Sequence, residues 1–335
     1  MAAIPKSYKK YIAEGKAILF YSIAFAILMR VIYYLNFDLS VEVVSNGYLW
    51  KPLSLLFSNP LVSLLANSVF TAGLALLAEN INTQHVFIRR RTWLPSAFLI
   101  LLFSCHPSFV VISPGFISSI FFLFIIFILF ASYNSEIKQI PTFKVSFMIA
   151  LGSLFSPVLL AYMPIIWISL GIMRCFNFKS FLVSLLAIFI IYFPAFSFYL
   201  FSSNLEGFLA PFVSIGLSDL SNFTFLGFNI GHWIILGFSV ILLSIILSDD
   251  YINRHKDKIK IRAYLSMLGL IVIFSMLFYL FFNVDIQTDL FIAITTGIAL
   301  LSHFFALAER KVTVIFFYFS IIFYLAICFL PFLSL

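Results

Sequence analysis

Charge is what this sequence has least of. Only 10% of its 335 residues are charged, where a soluble domain is nearer a quarter. So few polar groups cannot clothe a water-facing surface, which excludes an ordinary soluble protein and leaves no room for a separate soluble catalytic domain. Catalytic signatures are missing too. There is no P-loop, GxGxxG, GxSxG or kinase motif, and the five histidines form no H-E-x-x-H or similar metal spacing. Cysteine is scarce: Cys105, Cys175 and Cys328 form no CxxC pair, and each lies in or beside an apolar segment. They read as small packing residues, so no zinc or redox site and no metal centre is expected. No long basic run is interleaved with aromatics. The net charge of +7 therefore points to membrane loops and not to nucleic acid.

What the chain has instead is apolar length. It is 63% hydrophobic, with 45 phenylalanines, and its mean hydropathy is +1.13. Its main partner is the lipid bilayer. A helix needs about 20 apolar residues to cross. Segments 17–36, 60–78, 93–111, 115–132, 180–201, 230–248, 262–282, 289–308 and 313–333 meet that length. The run from Ala17 to Leu35 follows Lys6, Lys9, Lys10 and Lys16, is too long for a signal-peptide core, and is expected to stay as the first span. Segment 141–174 is too long for one span and short for two, with Gly152, Ser153, Ser156 and Pro157 in its middle. Proline removes a backbone donor and disfavours helix in the residue before it, so a break is expected there.

Counting basic residues decides the parity. With 141–155 and 157–174 as two short spans, 18 of the 20 lysines and arginines fall on one side, and only Lys51 and Arg30 do not. A single span would scatter them. Positive residues collect on the cytoplasmic side. The expected fold is thus an all-α polytopic transmembrane helix bundle of about eleven spans, N-terminus cytoplasmic and C-terminus outside, forming a single integral membrane domain over 1–335. The two short spans can be ordinary passes or a re-entrant hairpin. Two hairpins share a faint same-orientation repeat: basic residues, an entry proline, then Ser113-Pro114 or Ser156-Pro157 at the outer turn. The segment 202–229 has no lysine or arginine and is expected to lie along the outer interface, partly helical. "SDDYINRHKDKIKIR" reads as a solvated basic loop, and His303 as a buried, satisfied histidine.

The outer face collects Asp38, Glu42, Glu206, Asp219, Asp285 and Asp289. Carboxylates at a membrane surface can serve as general acid and base or bind a cation. In "ILMRVIYYLNFDLSVE", Asp38 and Glu42 follow directly on Arg30 and are the candidate catalytic acids. Arg30 lies a few residues below the outer interface, with Tyr33 and Tyr34 nearby. It is expected to snorkel to that interface as an anchor, or to face the bundle and bind a substrate phosphate or carboxylate.

"RRRTWLPSAFLILLFSCHPSF", "SPGFISSIFFLFIIFILF" and "FKVSFMIALGSLFSPVLLAYMPIIWISLGIMR" resemble an uncharacterised multi-pass inner-membrane protein family of Bacteroidota. The likeness covers roughly residues 60–200 and implies a bacterial inner (cytoplasmic) membrane, with no activity attached. "RVIYYLNFDLSVE" is also similar to the entry of polytopic glycosyltransferases that use lipid-linked sugar donors, with Asp38 in the position of their acid. The short first external loop and the lack of an adjacent Asp-Glu pair depart from that pattern. No pattern identifies a cofactor. The first expectation is a non-catalytic component of the cell envelope, with envelope proteins as partners. The alternatives are a glycosyltransferase-like enzyme acting on a lipid-linked substrate at the outer face, and a lipid or small-solute transporter.

Overall fold

The protein is described by a computed structural model covering residues 8–39, 41, 47–216, 230–281, 285–308 and 310–333. Among these residues helix is the only extended regular structure. In chain order the helices are α1 (Ala17–Asn36), α2 (Trp50–Leu56), α3 (Pro60–His85), α4 (Leu94–Leu102), α5 (Pro114–Ala131), α6 (Gln139–Ser153), α7 (Val158–Ala161), α8 (Met163–Ile172), α9 (Phe178–Phe201), α10 (Leu205–Gly216), α11 (Ile230–Asn253), α12 (Ile259–Phe281), α13 (Ile286–Ala306), α14 (Lys311–Ile327) and α15 (Leu330–Leu333). Among the described residues eight helices are long and apolar enough to cross a membrane. The chain is a multi-pass membrane protein.

The expected spans at 93–111, 141–155 and 157–174 are shorter helices, and burial is the reason they can be. Every residue of α4 is buried. A helix enclosed by protein needs no full-length lipid-facing cylinder, because its freed backbone groups find protein partners. Helix starts follow local chemistry. Asn59, Ser113, Asn177 and Asp285 each cap a helix by accepting a backbone N–H from two or three residues on. Proline follows at the first helical position of α3 and α5, where its missing N–H costs nothing.

Helix α13 is the centre of the bundle. It packs against α12, α5, α4, α11 and α14, and its apolar window is 67% buried, against 11% for α9 and for the helix at 231–256. The last two form the lipid-facing edge, where Phe189, Phe198 and Phe201 stand exposed. Gly115, at the start of α5, lets α13 approach: a Cβ there would lie 2.8 Å from the Thr288 amide nitrogen.

The expected break in 141–174 falls at residues 154–157, between α6 and α7. Both outer ends of this segment meet the same turn. The Asn134 amide donates to the Met173 carbonyl at 3.0 Å, and Thr142 Oγ1 donates to the Cys175 carbonyl at 3.4 Å. The segment is therefore a hairpin that returns to the end it started from. At its tip the Leu49 amide donates to the Leu154 carbonyl at 2.9 Å. The three cysteines are free and buried, and Cys105 Sγ donates to the Leu101 carbonyl at 3.2 Å.

"SDDYINRHKDKIKIR" is helical at both ends, since α11 runs on to Asn253 and α12 starts at Ile259; between them Arg254, His255, Lys256 and Lys258 are exposed as expected, and Asp257 is buried. The segment 202–229 is helical over α10, and its residues 217–229 lie outside the described residues.

Candidate functional site

Arg30 sits in the last third of α1, six residues and about 9 Å of helix rise before its end. It is 5% exposed. The anchoring expectation is therefore corrected: the side chain turns into the bundle and not out to the interface. Its guanidinium donates to Asn67 Oδ1 at 3.0 Å, to Thr71 Oγ1 at 3.2 Å, and to Ser68 Oγ, all on α3. Asn67 is held for this role. Its Nδ2 donates to the carbonyls of Phe109 at 3.2 Å and Val111 at 3.0 Å, which leaves Oδ1 facing the arginine. The arginine thus ties α1, α3 and the turn at 103–113 together. All of its partners are neutral, and no acid pairs with it among the described residues.

Asp38 lies just past α1, exposed, with no hydrogen bond or ion pair among the described residues. Glu42 lies outside the described residues, as does Asp219. Glu206 is exposed on α10. Among the described residues no hydrogen bond joins Asp38 or Glu206 to another of these acids or to a shared partner. The structure does bring Asp285 and Asp289 to one place, at the break in the hairpin.

That place is built by the start of α13. Asp285 caps the helix, accepting from the Thr288 amide at 3.2 Å. Its Oδ2 also accepts from Thr288 Oγ1 at 2.6 Å and from Ser156 Oγ at 2.9 Å. Ser156 is the residue before the proline of the break, and its Oγ stands 3.0 Å from Thr288 Oγ1. One turn further along, Asp289 is 1% exposed and accepts from the Tyr162 hydroxyl at 2.6 Å. Tyr162 separates α7 from α8, and its ring packs edge-on against Phe122, Phe274 and Phe278. The broken hairpin therefore supplies a hydroxyl to each of two carboxylates, and one of these is wholly enclosed. A helix break leaves backbone and side-chain polar groups free to serve a ligand or an acid in just this way.

A second polar place lies at the opposite end of α13. A cavity of about 200 Å³ opens among Asp249, Asp250 and Asn253 of α11, Asp257, Arg89, His303 of α13, and Arg310. The Arg89 guanidinium donates to Asp257 Oδ1 and to the Lys256 carbonyl, and Arg262 Nε donates to the Asp257 carbonyl at 2.8 Å. Asp249 Oδ1 accepts from Asn253 Nδ2 at 2.8 Å. Two lining atoms stay unpartnered: Asp250 Oδ1 and His303 Nε2 are buried without a hydrogen bond. His303 is thus not satisfied as expected. Its Nε2 stands 3.9 Å from Asp257 Oδ1, beyond hydrogen-bond reach. Sequence reading missed this cavity. The signal was present in Asp249 and Asp250, which close an apolar helix on the basic side of the chain. Among the described residues no three His, Cys, Asp or Glu side chains gather closely enough to hold a metal ion.

Compared with protein families, with curated proteins and with solved structures, the chain matches none.

Proposed function

We propose that the protein is a transporter of a small polar solute in a bacterial cytoplasmic membrane, with eleven passes, its N-terminus cytoplasmic and its C-terminus outside. One observation carries the reading: a broken helical hairpin meets an enclosed carboxylate on the most buried membrane helix. Tyr162 and Ser156 of the hairpin hold Asp289 and Asp285 of α13. An ionisable group enclosed among membrane helices is costly to place, and such groups mark solute or proton pathways. A non-catalytic envelope component has no need of that cost. Two things support the eleven passes. They put 18 of 20 basic residues on one side, and bonds between connections, such as Arg89 to Asp257 and Leu49 to Leu154, join turns of like parity. The likeness to the Bacteroidota family supports the choice of membrane.

The test is complementation of a deletion strain, with membrane levels read by immunoblot. Asp289→Asn keeps the shape and can still accept from Tyr162, but it removes the ionisable group. It is expected to accumulate normally and fail to complement. Full complementation by Asp289→Asn at normal levels overturns the transporter reading.

A second reading rests on a different observation: a buried arginine whose partners are all neutral has charge left for an anion. It favours the glycosyltransferase-like enzyme, with Arg30 holding a lipid-linked phosphate and Asp38 and Glu42 as the acids. Asp38→Asn in the same assay separates the two. The enzyme reading expects loss of the phenotype, and the transporter reading expects wild-type behaviour.

A further inference from the structure

The geometry points to a binding site for a small zwitterion, a primary ammonium with an anionic group a few ångströms away, in the cavity at the α11–α13 end. The lining is unusual for a membrane helix bundle because acids and bases share it: Asp249, Asp250 and Asp257 face the same space as Arg89, Lys256 and Arg310. A simple cation would meet three basic side chains there, and a simple anion three carboxylates. A zwitterion meets both in complementary fashion.

The unpartnered atoms say where each end goes. Asp250 Oδ1 can only accept, and it is buried with no donor. His303 is nine-tenths buried, and its Nε2 also lacks a partner. A buried polar atom without a partner costs about 1–3 kcal/mol, so a donor that reaches either is favoured. An ammonium supplies three donors, and either the carboxylate oxygen or a neutral imidazole nitrogen can accept one. Asp257 is already engaged by Arg89, and Asp249 by Asn253, which leaves Asp250 as the acid that turns to the ligand. For the anionic end, Arg310 is exposed at the rim and meets no acid among the described residues. Leu265, Leu300 and Phe304 complete the wall and accept a short apolar side chain. At about 200 Å³ the space is below the usual drug-sized pocket of about 300 Å³ and more.

This chemistry has two sources, a free α-amino acid and a phosphoethanolamine headgroup. The inference deepens the transporter reading by naming a substrate class, and it rests on that reading only for the steps after binding.

Titration calorimetry on the purified full chain in an amine-free detergent tests it, with L-alanine as the probe and ethylamine and acetate as its separate halves. Alanine is expected to bind at least about tenfold more tightly than either half, the effect of one charge-assisted hydrogen bond. Asp250→Asn is expected to weaken alanine about tenfold or more. Arg310→Gln, at the exposed rim, removes the anion partner without touching the core and is expected to do the same. The lipid arm repeats the titration in nanodiscs. Alanine binding that is lost in phosphatidylethanolamine discs and kept in phosphatidylglycerol discs assigns the site to the headgroup, within the same inference. No heat from alanine in detergent and no difference between the two lipids overturns it, leaving a water-filled cavity. Alanine binding that is unchanged in both variants overturns it as well. Binding is read without a gradient. A chain that binds alanine and complements as Asp289→Asn therefore keeps this inference and loses the transporter reading, and the reverse outcome does the opposite.

Discussion

At the scale of single residues, Arg30 carries the clearest physical argument. A guanidinium is a planar fork with five N–H donors, and here it spans three acceptors on one helix face, Asn67, Ser68 and Thr71. Lysine is a point charge on a flexible stem and cannot reach all three at once. An interfacial anchor would tolerate Arg30→Lys, because both side chains snorkel. The buried geometry leads to the contrary expectation. Arg30→Lys should lower stability by about 1–3 kcal/mol through acceptors left unpaired. Thermal unfolding of the purified protein in detergent measures this, and an unchanged midpoint would restore the anchoring reading. Asp38 is the opposite case. It is exposed and unbonded among the described residues, so Asp38→Asn should stay within about 0.5 kcal/mol of wild type in the same measurement, whatever it does to function.

Among elements, the hairpin of α6, α7 and α8 is the one whose sequence most invites misreading. Pro157 draws the eye, yet it sits in ordinary helical geometry, with φ −58° and ψ −26°. Alanine adopts those angles without strain. Other contacts hold the break open: the Leu49 amide on the Leu154 carbonyl, and Ser156 on Asp285. Pro157→Ala should therefore cost under about 1 kcal/mol, chiefly by loosening the unfolded chain. Ser156→Ala removes a donor from a carboxylate and should cost about 1 kcal/mol or more. It should also reduce complementation, which Pro157→Ala should not. The reverse order would mean that the proline itself shapes the site.

For the whole molecule, the prediction is topological. Single cysteines are introduced after Cys105, Cys175 and Cys328 are replaced. At Ser203 a cysteine should react with an impermeant thiol reagent added from outside, while cysteines at Arg90 and His255 should react only after the membrane is opened. Labelling of both Arg90 and His255 from outside would reverse the orientation and exchange the sides of the two polar places. The opposite ends of α13 would still carry them. Asp285 and Asp289 lie at its start and His303 close to its end, so any motion that shifts this helix acts on both.

The sequence alone determined that this chain lives in lipid, that it is helical, where most spans begin, and that 141–174 breaks near Pro157. Those properties follow from length and composition along one dimension. A bilayer demands about 20 apolar residues per crossing, and caps and prolines act on their own neighbours. Only the tertiary structure decided which polar residues meet. In a soluble protein the buried face of a helix shows itself by apolar periodicity, because water takes the other face. Here lipid and core are equally apolar, and that signal vanishes. Nothing in the spacing told Arg30 on an inward face from Arg30 on an outward one. Six outer acids were legible as a set, but the pairing of Asp285 and Asp289 with Ser156 and Tyr162 depends on α13 lying against a hairpin more than a hundred residues away in sequence. The cavity around Asp250 and His303 arises in the same way. Its walls come from α11, α13 and the turn at Arg89, and only packing sets them side by side.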